Sequence, residues 1–288
     1  MRKSVLEKLL KTMRGAAWLQ GLALVVLFPS LVLMPGAVRA NPSGGTVAHG
    51  AVEIMQNIDN PAFLQIMQHS DKAIINWADF SIGAGEHTQF IQPGQMAAVL
   101  NRVVSGNPTA IAGLLSANGK VVVVNQNGIM VTPSGVVDVA GGVVLSTLDI
   151  ADGDFLNGMD DSFLGTTAAG VVNYGTVMSA GGDVVLLGNF VDNQGIIGAP
   201  DGVVALGAGG NIVVHAQGEN KISVMAPGVG ASTGVNNSGT ITGAAAELKA
   251  HGNVYALAIN NSGLIRATGS ATINGRVMLT SRSADGKT

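Results

Sequence analysis

Few side chains in this sequence can do chemistry. Its 288 residues hold 5 histidines, 15 lysines and arginines, 18 acidic residues and no cysteine. None of His49, His69, His87, His215 and His251 lies at a metal-ligand spacing such as His-x-x-x-His. A thiolate nucleophile is excluded, and neither Gly-x-Ser-x-Gly nor a phosphate-binding Gly-x-x-x-x-Gly-Lys-[Ser/Thr] loop is present. The carboxylates leave two openings. Asp138, Asp183, Asp192 and Asp201 would make the acid–base cluster of a polysaccharide lyase or hydrolase if a fold aligned them; otherwise they are turn or solvent-facing residues. The stretch STLDIADGDFLNGMDDSFLG, Ser146 to Gly165, concentrates Asp149, Asp152, Asp154, Asp160 and Asp161. It opens like a calcium loop at Asp152-x-Asp154. The sixth position has no glycine and the twelfth no glutamate, so the segment reads as an excursion from a regular fold. No metal, cofactor or catalytic residue is expected, and the glycan-active enzyme stands as the alternative to a non-enzymatic protein.

Such residues would have to be positioned by strands. Glycine numbers 41, hydrophobic residues reach 47% and aromatics only 4%, so valine, alanine, isoleucine and leucine carry the apolar content. β-Branched side chains and glycine both disfavour helix, and no three-residue glycine period points to collagen. A β-rich chain with many tight turns remains. The first 40 residues hold six of the basic side chains, and the remainder carries a net charge of −8. That acidic body offers no electrostatic footprint for nucleic acid.

The N-terminus reads as an address. A basic leader precedes an apolar stretch, Ala16 to Met34, which is broken by Pro29 and followed by Val38-Arg39-Ala40. Residues 1–40 are expected to be a signal peptide read by the Sec machinery and cleaved between Ala40 and Asn41, with a membrane anchor as the alternative.

Downstream the chain repeats. Asn-x-Gly-x-[Ile/Val] recurs at Asn173/Gly175, Asn193/Gly195, Asn237/Gly239 and Asn261/Gly263. The starts are 20, 44 and 24 residues apart, with 44 read as two units of 22. Between them lie valine-rich runs, Asp183–Gly188, Gly202–Gly207, Asn211–Ala216 and Asn253–Ala258. A period of 20–24 residues predicts a β-solenoid from about residue 100 onward, of roughly nine coils. In it asparagine and glycine occupy corners that need a left-handed backbone, and stacked asparagines hydrogen-bond as a ladder. The section from Asn41 to Gly106 reads as a cap.

Leu100 to Val131, LNRVVSGNPTAIAGLLSANGKVVVVNQNGIMV, carries a more specific pattern: Leu100–Val103, Asn107-Pro108, Ser116–Gly119 and Asn125–Ile129. With Ile75–Phe90 and Ser146–Leu156, it resembles the N-terminal two-partner secretion (TPS) domain of filamentous haemagglutinin-type exoproteins. Gln126 stands where that family's last motif has proline, and the family's Asn-Pro-Asn-Leu has no counterpart. The resemblance implies an all-β, right-handed parallel β-helix with an N-terminal β cap. It implies a secretion domain over 41–165 and repeat continuation over 166–288. It further implies a cognate outer-membrane TpsB-type β-barrel transporter as partner, passage through the periplasm of a Gram-negative bacterium, and a secreted or surface-bound product that adheres to host or neighbouring cells. Asn107, Pro108, Asn125, Asn127, Gly128 and Ile129 are the expected transporter-recognition and folding motif.

Overall fold

The structure is a computed structural model and describes residues 41–217, 220–230, 233–251, 258–268 and the backbone of 277–282. The leader with Ala40 therefore lies outside the described residues, as does most of the Asn253–Ala258 run.

Short strands whose side chains alternate in and out wind into a three-faced parallel stack. Face one rises through Phe63–Gln68, His87–Ile91, Leu114–Ala117, Val136–Val139 and Thr176–Met178, then the first halves of Ile196–Ala208 and Thr240–His251, and Leu264–Ala267. Face two rises through Lys72–Trp77, Ala98–Val103, Lys120–Val124, Val143–Ser146 and Val184–Gly188, then the second halves of the two long strands, and Val277–Arg282. Face three holds Thr109–Ile111, Ile129–Val131, Val171–Asn173, Phe190–Asn193, Gly234–Asn237 and Ile259–Asn261. Every neighbouring pair in these faces is parallel, so the fold is a parallel β-helix, eight levels tall on faces one and two among the described residues.

Two antiparallel strands close the first level. Thr46–His49 pairs with Lys72–Trp77, and Val52–Gln56 pairs with Phe63–Gln68. They cover backbone edges that would otherwise be open to another chain. Parallel stacking starts at Phe63 rather than near residue 100, because Phe63–Trp77 and His87–Val103 already pair in parallel on faces one and two. Few Asn-Gly corners mark those levels, so the period was invisible there.

The solenoid interior is one column of apolar side chains, from Trp77, Phe80 and Phe90 through Val121, Val143 and Val184 to Leu248. A second core lies outside face two. There the excursion contributes Asp149–Ile150, a short helix Asp152–Asn157 and Asp161–Leu164; a second excursion contributes Asn211–Val214 and Ile222–Ala226. These make an antiparallel four-stranded sheet. Phe155, Phe163, Ile212 and Ile222 pack onto Leu100, Val122, Val144 and Leu187. Being covered on both sides explains why face two reads as unbroken runs such as KVVVV and VVLLG, whereas Val136–Val139 alternates exposed and buried.

The second excursion corrects the spacing argument. Asn193 and Asn237 stand in direct register on adjacent levels, so the 44-residue interval is one coil with an insertion, not two coils. Asn211–Val214 belongs to the outer sheet rather than to the solenoid.

Candidate functional site at the stacked corners

The motif residues converge on corners of the helix. Between faces two and three, Asn125 is fully buried and closes a β-turn, in which Gly128 N–H donates to the Asn125 carbonyl at 3.1 Å. Its side-chain amide donates to the Asn107 carbonyl and to Thr109 Oγ1, both at 2.9 Å, so the Asn107-Pro108 corner of one level is clamped by Asn125 of the next. Asn125 Oδ1 accepts from Asn127 N–H at 2.9 Å, and Asn127 Nδ2 reaches the Ser105 carbonyl at 2.8 Å. Gly128 has φ +117°, a conformation other residues rarely adopt. Ile129 is buried in the column, whereas Asn107, Pro108, Gln126 and Asn127 face solvent. Gln126 occupies the second position of the turn, where proline also fits.

At the corner between faces three and one, the repeat asparagines form the expected ladder. Asn173 Nδ2 donates to Asn193 Oδ1 at 2.8 Å, Asn193 to Asn237 at 2.7 Å and Asn237 to Asn261 at 2.6 Å. The first three are fully buried. The backbone differs from expectation. Asn173, Asn193, Asn237 and Asn261 all have negative φ, and none of Gly175, Gly195, Gly239 and Gly263 is in the left-handed region. Glycine is required for closeness instead. A Cβ on Gly195 would overlap the Gly175 carbonyl oxygen, one on Gly239 that of Gly195, and one on Gly263 that of Gly239. The turns stack so tightly that only a hydrogen fits.

Other positions gain their roles only from the fold. Asn101, in the Leu100–Val103 motif, is buried and accepts from Trp77 Nε1 at 2.9 Å. Arg102 reaches Asp149 and Asp152, each at 2.8 Å, and the Ile150 carbonyl at 2.6 Å, tying the acidic excursion to face two. Asn118 exchanges two hydrogen bonds with the Gln92 backbone, at 2.7 and 2.8 Å. Gln92 itself is buried and bridges Gln68, Ala97 and Lys120. Sequence reading singled out neither Gln92 nor Trp77; an isolated glutamine or tryptophan carries no periodic signal.

The carboxylates proposed for an enzyme do not converge. Asp138 lies on face one and Asp192 on face three, hydrogen-bonded to Asn236. Asp183 pairs with Lys221 at 2.7 Å, and Asp201 is exposed on the strand bend one level on. Beneath the outer sheet, burial pushes the Lys120 ammonium down and the Asp161 carboxyl up from their usual ranges, and their mutual attraction at 3.8 Å opposes both shifts. No group of three metal-ligating side chains occurs among the described residues. Nor is any described helix long and apolar enough to cross a membrane.

This geometry has counterparts among known proteins. The TPS secretion domain family model matches residues 38–288. A heme/hemopexin-binding protein of Haemophilus influenzae strain Rd is 31% identical over 244 residues, 82% of this chain and 26% of that protein. Another Haemophilus influenzae heme/hemopexin-binding protein is 42% identical over 87 residues, 30% of this chain and 9% of that protein. The chain thus spans about a quarter or less of the curated relatives it matches. Among solved structures, the HMW1 secretion domain from Haemophilus influenzae superposes with TM-score 0.61 at 25% identity, covering 84% of this chain and 66% of that one. A clamped Asn-Pro corner, a buried asparagine ladder and a capped parallel β-helix are thus joined to a match over all the described residues, and the chain belongs to the TPS secretion domain family, the secretion part of a two-partner secretion exoprotein.

Proposed function

We propose that this domain is the export address and folding template of a secreted, non-enzymatic exoprotein with an adhesive or structural role at the cell surface. After Sec-dependent export and removal of residues 1–40 at Ala40/Asn41, a cognate outer-membrane TpsB-type transporter recognises the still unfolded chain. The segment bearing Asn107, Pro108, Asn125, Asn127, Gly128 and Ile129 is the part it reads. Folding outside supplies the driving force: each level that docks buries apolar surface at about 25 cal/mol per Å² and completes its strand pairing with the level below. The clamp of Asn125 on the preceding corner carries this reading, because it makes each level's geometry depend on the level already formed. The absence of cysteine suits a chain that must thread without crosslinks. The dispersed carboxylates weigh against the glycan-active alternative.

The test is secretion of the full chain from cells with and without the cognate transporter. Release into the medium only with the transporter is expected. Equal release without it refutes the export role, and release of reducing ends from polysaccharide by the purified protein refutes the non-enzymatic one.

A further inference from the structure

The outer sheet carries an arrangement that the secretion role does not use. His215, at the end of Asn211–Val214, lies between Asp160 and Ser223. Its Nδ1 is 2.7 Å from Asp160 Oδ2, and its Nε2 is 2.8 Å from Ser223 Oγ. Asp160 Oδ1 also accepts from Ala216 N–H at 2.9 Å. That backbone bond first, and the His215 bond second, hold the Asp160 carboxyl below its ordinary range, so it is an acceptor only. His215 Nδ1 therefore carries the hydrogen. In the neutral ring Nε2 is then the acceptor, and Ser223 O–H is the donor. This is the order nucleophile, base, orienting carboxylate that activates a serine hydroxyl.

The three side chains come from both excursions and meet only because Asp161–Leu164, Asn211–Val214 and Ile222–Ala226 are neighbours in one antiparallel sheet. They lie on the face turned away from the solenoid: Phe163, Ile212, Val214 and Ile222 point inward, and His215 and Asp160 remain 26% and 49% exposed. The same face carries Leu164 and Met225, both more than half exposed. Met225 is two residues from Ser223 on the same strand, so apolar surface adjoins the hydroxyl's strand.

We propose that Ser223 is an acyl-acceptor site for esters or thioesters with an apolar acyl chain, with His215 as general base and Asp160 as its positioning residue. Ser223 Oγ attacks the acyl carbonyl carbon and its proton passes to His215 Nε2. The carbon–oxygen or carbon–sulfur bond to the leaving group breaks, and that group takes the proton from His215. The product is an acyl-serine plus a free alcohol or thiol. The assignment is limited to this acylation step. This is compatible with a non-enzymatic role for the exoprotein and does not rest on it.

The full chain, purified folded, is treated with a fluorophosphonate probe and separately with p-nitrophenyl butyrate. Expected are labelling mapped to Ser223, a p-nitrophenolate burst of about one equivalent, and loss of both in Ser223→Ala. General-base assistance is typically worth about 10²–10⁴-fold, so His215→Gln slows labelling by about 100-fold or more. Asp160→Asn slows it by a smaller factor. Unchanged far-UV circular dichroism and melting of each variant separate loss of reactivity from loss of fold. Labelling of wild type no faster than Ser223→Ala, or equal labelling in His215→Gln, overturns the assignment.

Discussion

Replacing Asn193 interrupts the buried ladder at its middle, and its cost can be worked from the contacts. In Asn193→Ala, Asn237 Oδ1 loses the amide that donates to it at 2.7 Å. Asn173 Nδ2 loses its acceptor at 2.8 Å but keeps the Ile196 carbonyl at 3.3 Å. An unpaired buried acceptor costs about 1–3 kcal/mol and a lost hydrogen bond about 0.5–1.5, so a loss of about 2–4 kcal/mol is expected. Asn193→Asp is the sharper test because it preserves shape. Its ionised carboxylate accepts from Asn173 but has no proton for Asn237 Oδ1. The folded state then favours the protonated acid, and the folded pKa rises above the unfolded value of about 3.9. Below that value the acid O–H donates to Asn237 and the variant approaches wild type. As pH rises from there to the folded pKa, the deficit grows by about 1.4 kcal/mol per unit. Urea unfolding followed by circular dichroism from pH 3.5 to 7.5 measures this, with amide exchange of Val171–Asn173 and Gly234–Asn237 as the local readout. Asn260→Ala, which removes the solvent-facing bond to Asn236, is the control and should cost within about 0.5 kcal/mol. An Asn193→Ala cost no larger than the control, or an Asn193→Asp deficit independent of pH, refutes the argument.

Gly195→Ala should lower the urea midpoint by the equivalent of about 1–3 kcal/mol, because the added methyl meets the Gly175 carbonyl. Gly128→Ala, where nothing lies within 3.8 Å of a Cβ, should cost about 1–3 kcal/mol through backbone strain alone, and Gly128→Val should cost more. Gln126→Pro should stabilise by about 0.4–1 kcal/mol, since the turn accepts proline at its second position and the unfolded chain loses freedom; a lower melting temperature would show that the turn's φ is wrong for proline. Asp160 has a depressed folded pKa, so its contribution is present above its unfolded value and lost as pH falls through the folded one. Amide protection of Asn211–Val214 should therefore weaken below about pH 4 in wild type, and less so in Asp160→Asn.

Local chemistry made much of this protein legible from its residues alone. β-Branched runs, doubled glycine and the Asn-x-Gly period dictate strands that must stack, because no single coil can bury its own apolar face. The asparagine ladder follows from residue type and spacing, and the motifs from Leu100 to Val131 are legible through their family resemblance. Pairing across distance was not legible. Nothing local distinguishes Asn211–Val214 from a solenoid strand; only burial of Ile212 and Val214 against Phe163 and Val144 places it in the outer sheet and turns a 44-residue interval into one coil. The glycines that read as left-handed corners are glycines because the preceding level's carbonyl leaves no room, a constraint that exists only once the levels are stacked. Asp160, His215 and Ser223 are unremarkable at separations of 55 and 8 residues, and two antiparallel excursions bring them within hydrogen-bond reach. Periodicity reports what each residue does to its own strand, whereas register across a sheet is decided by which apolar faces bury one another.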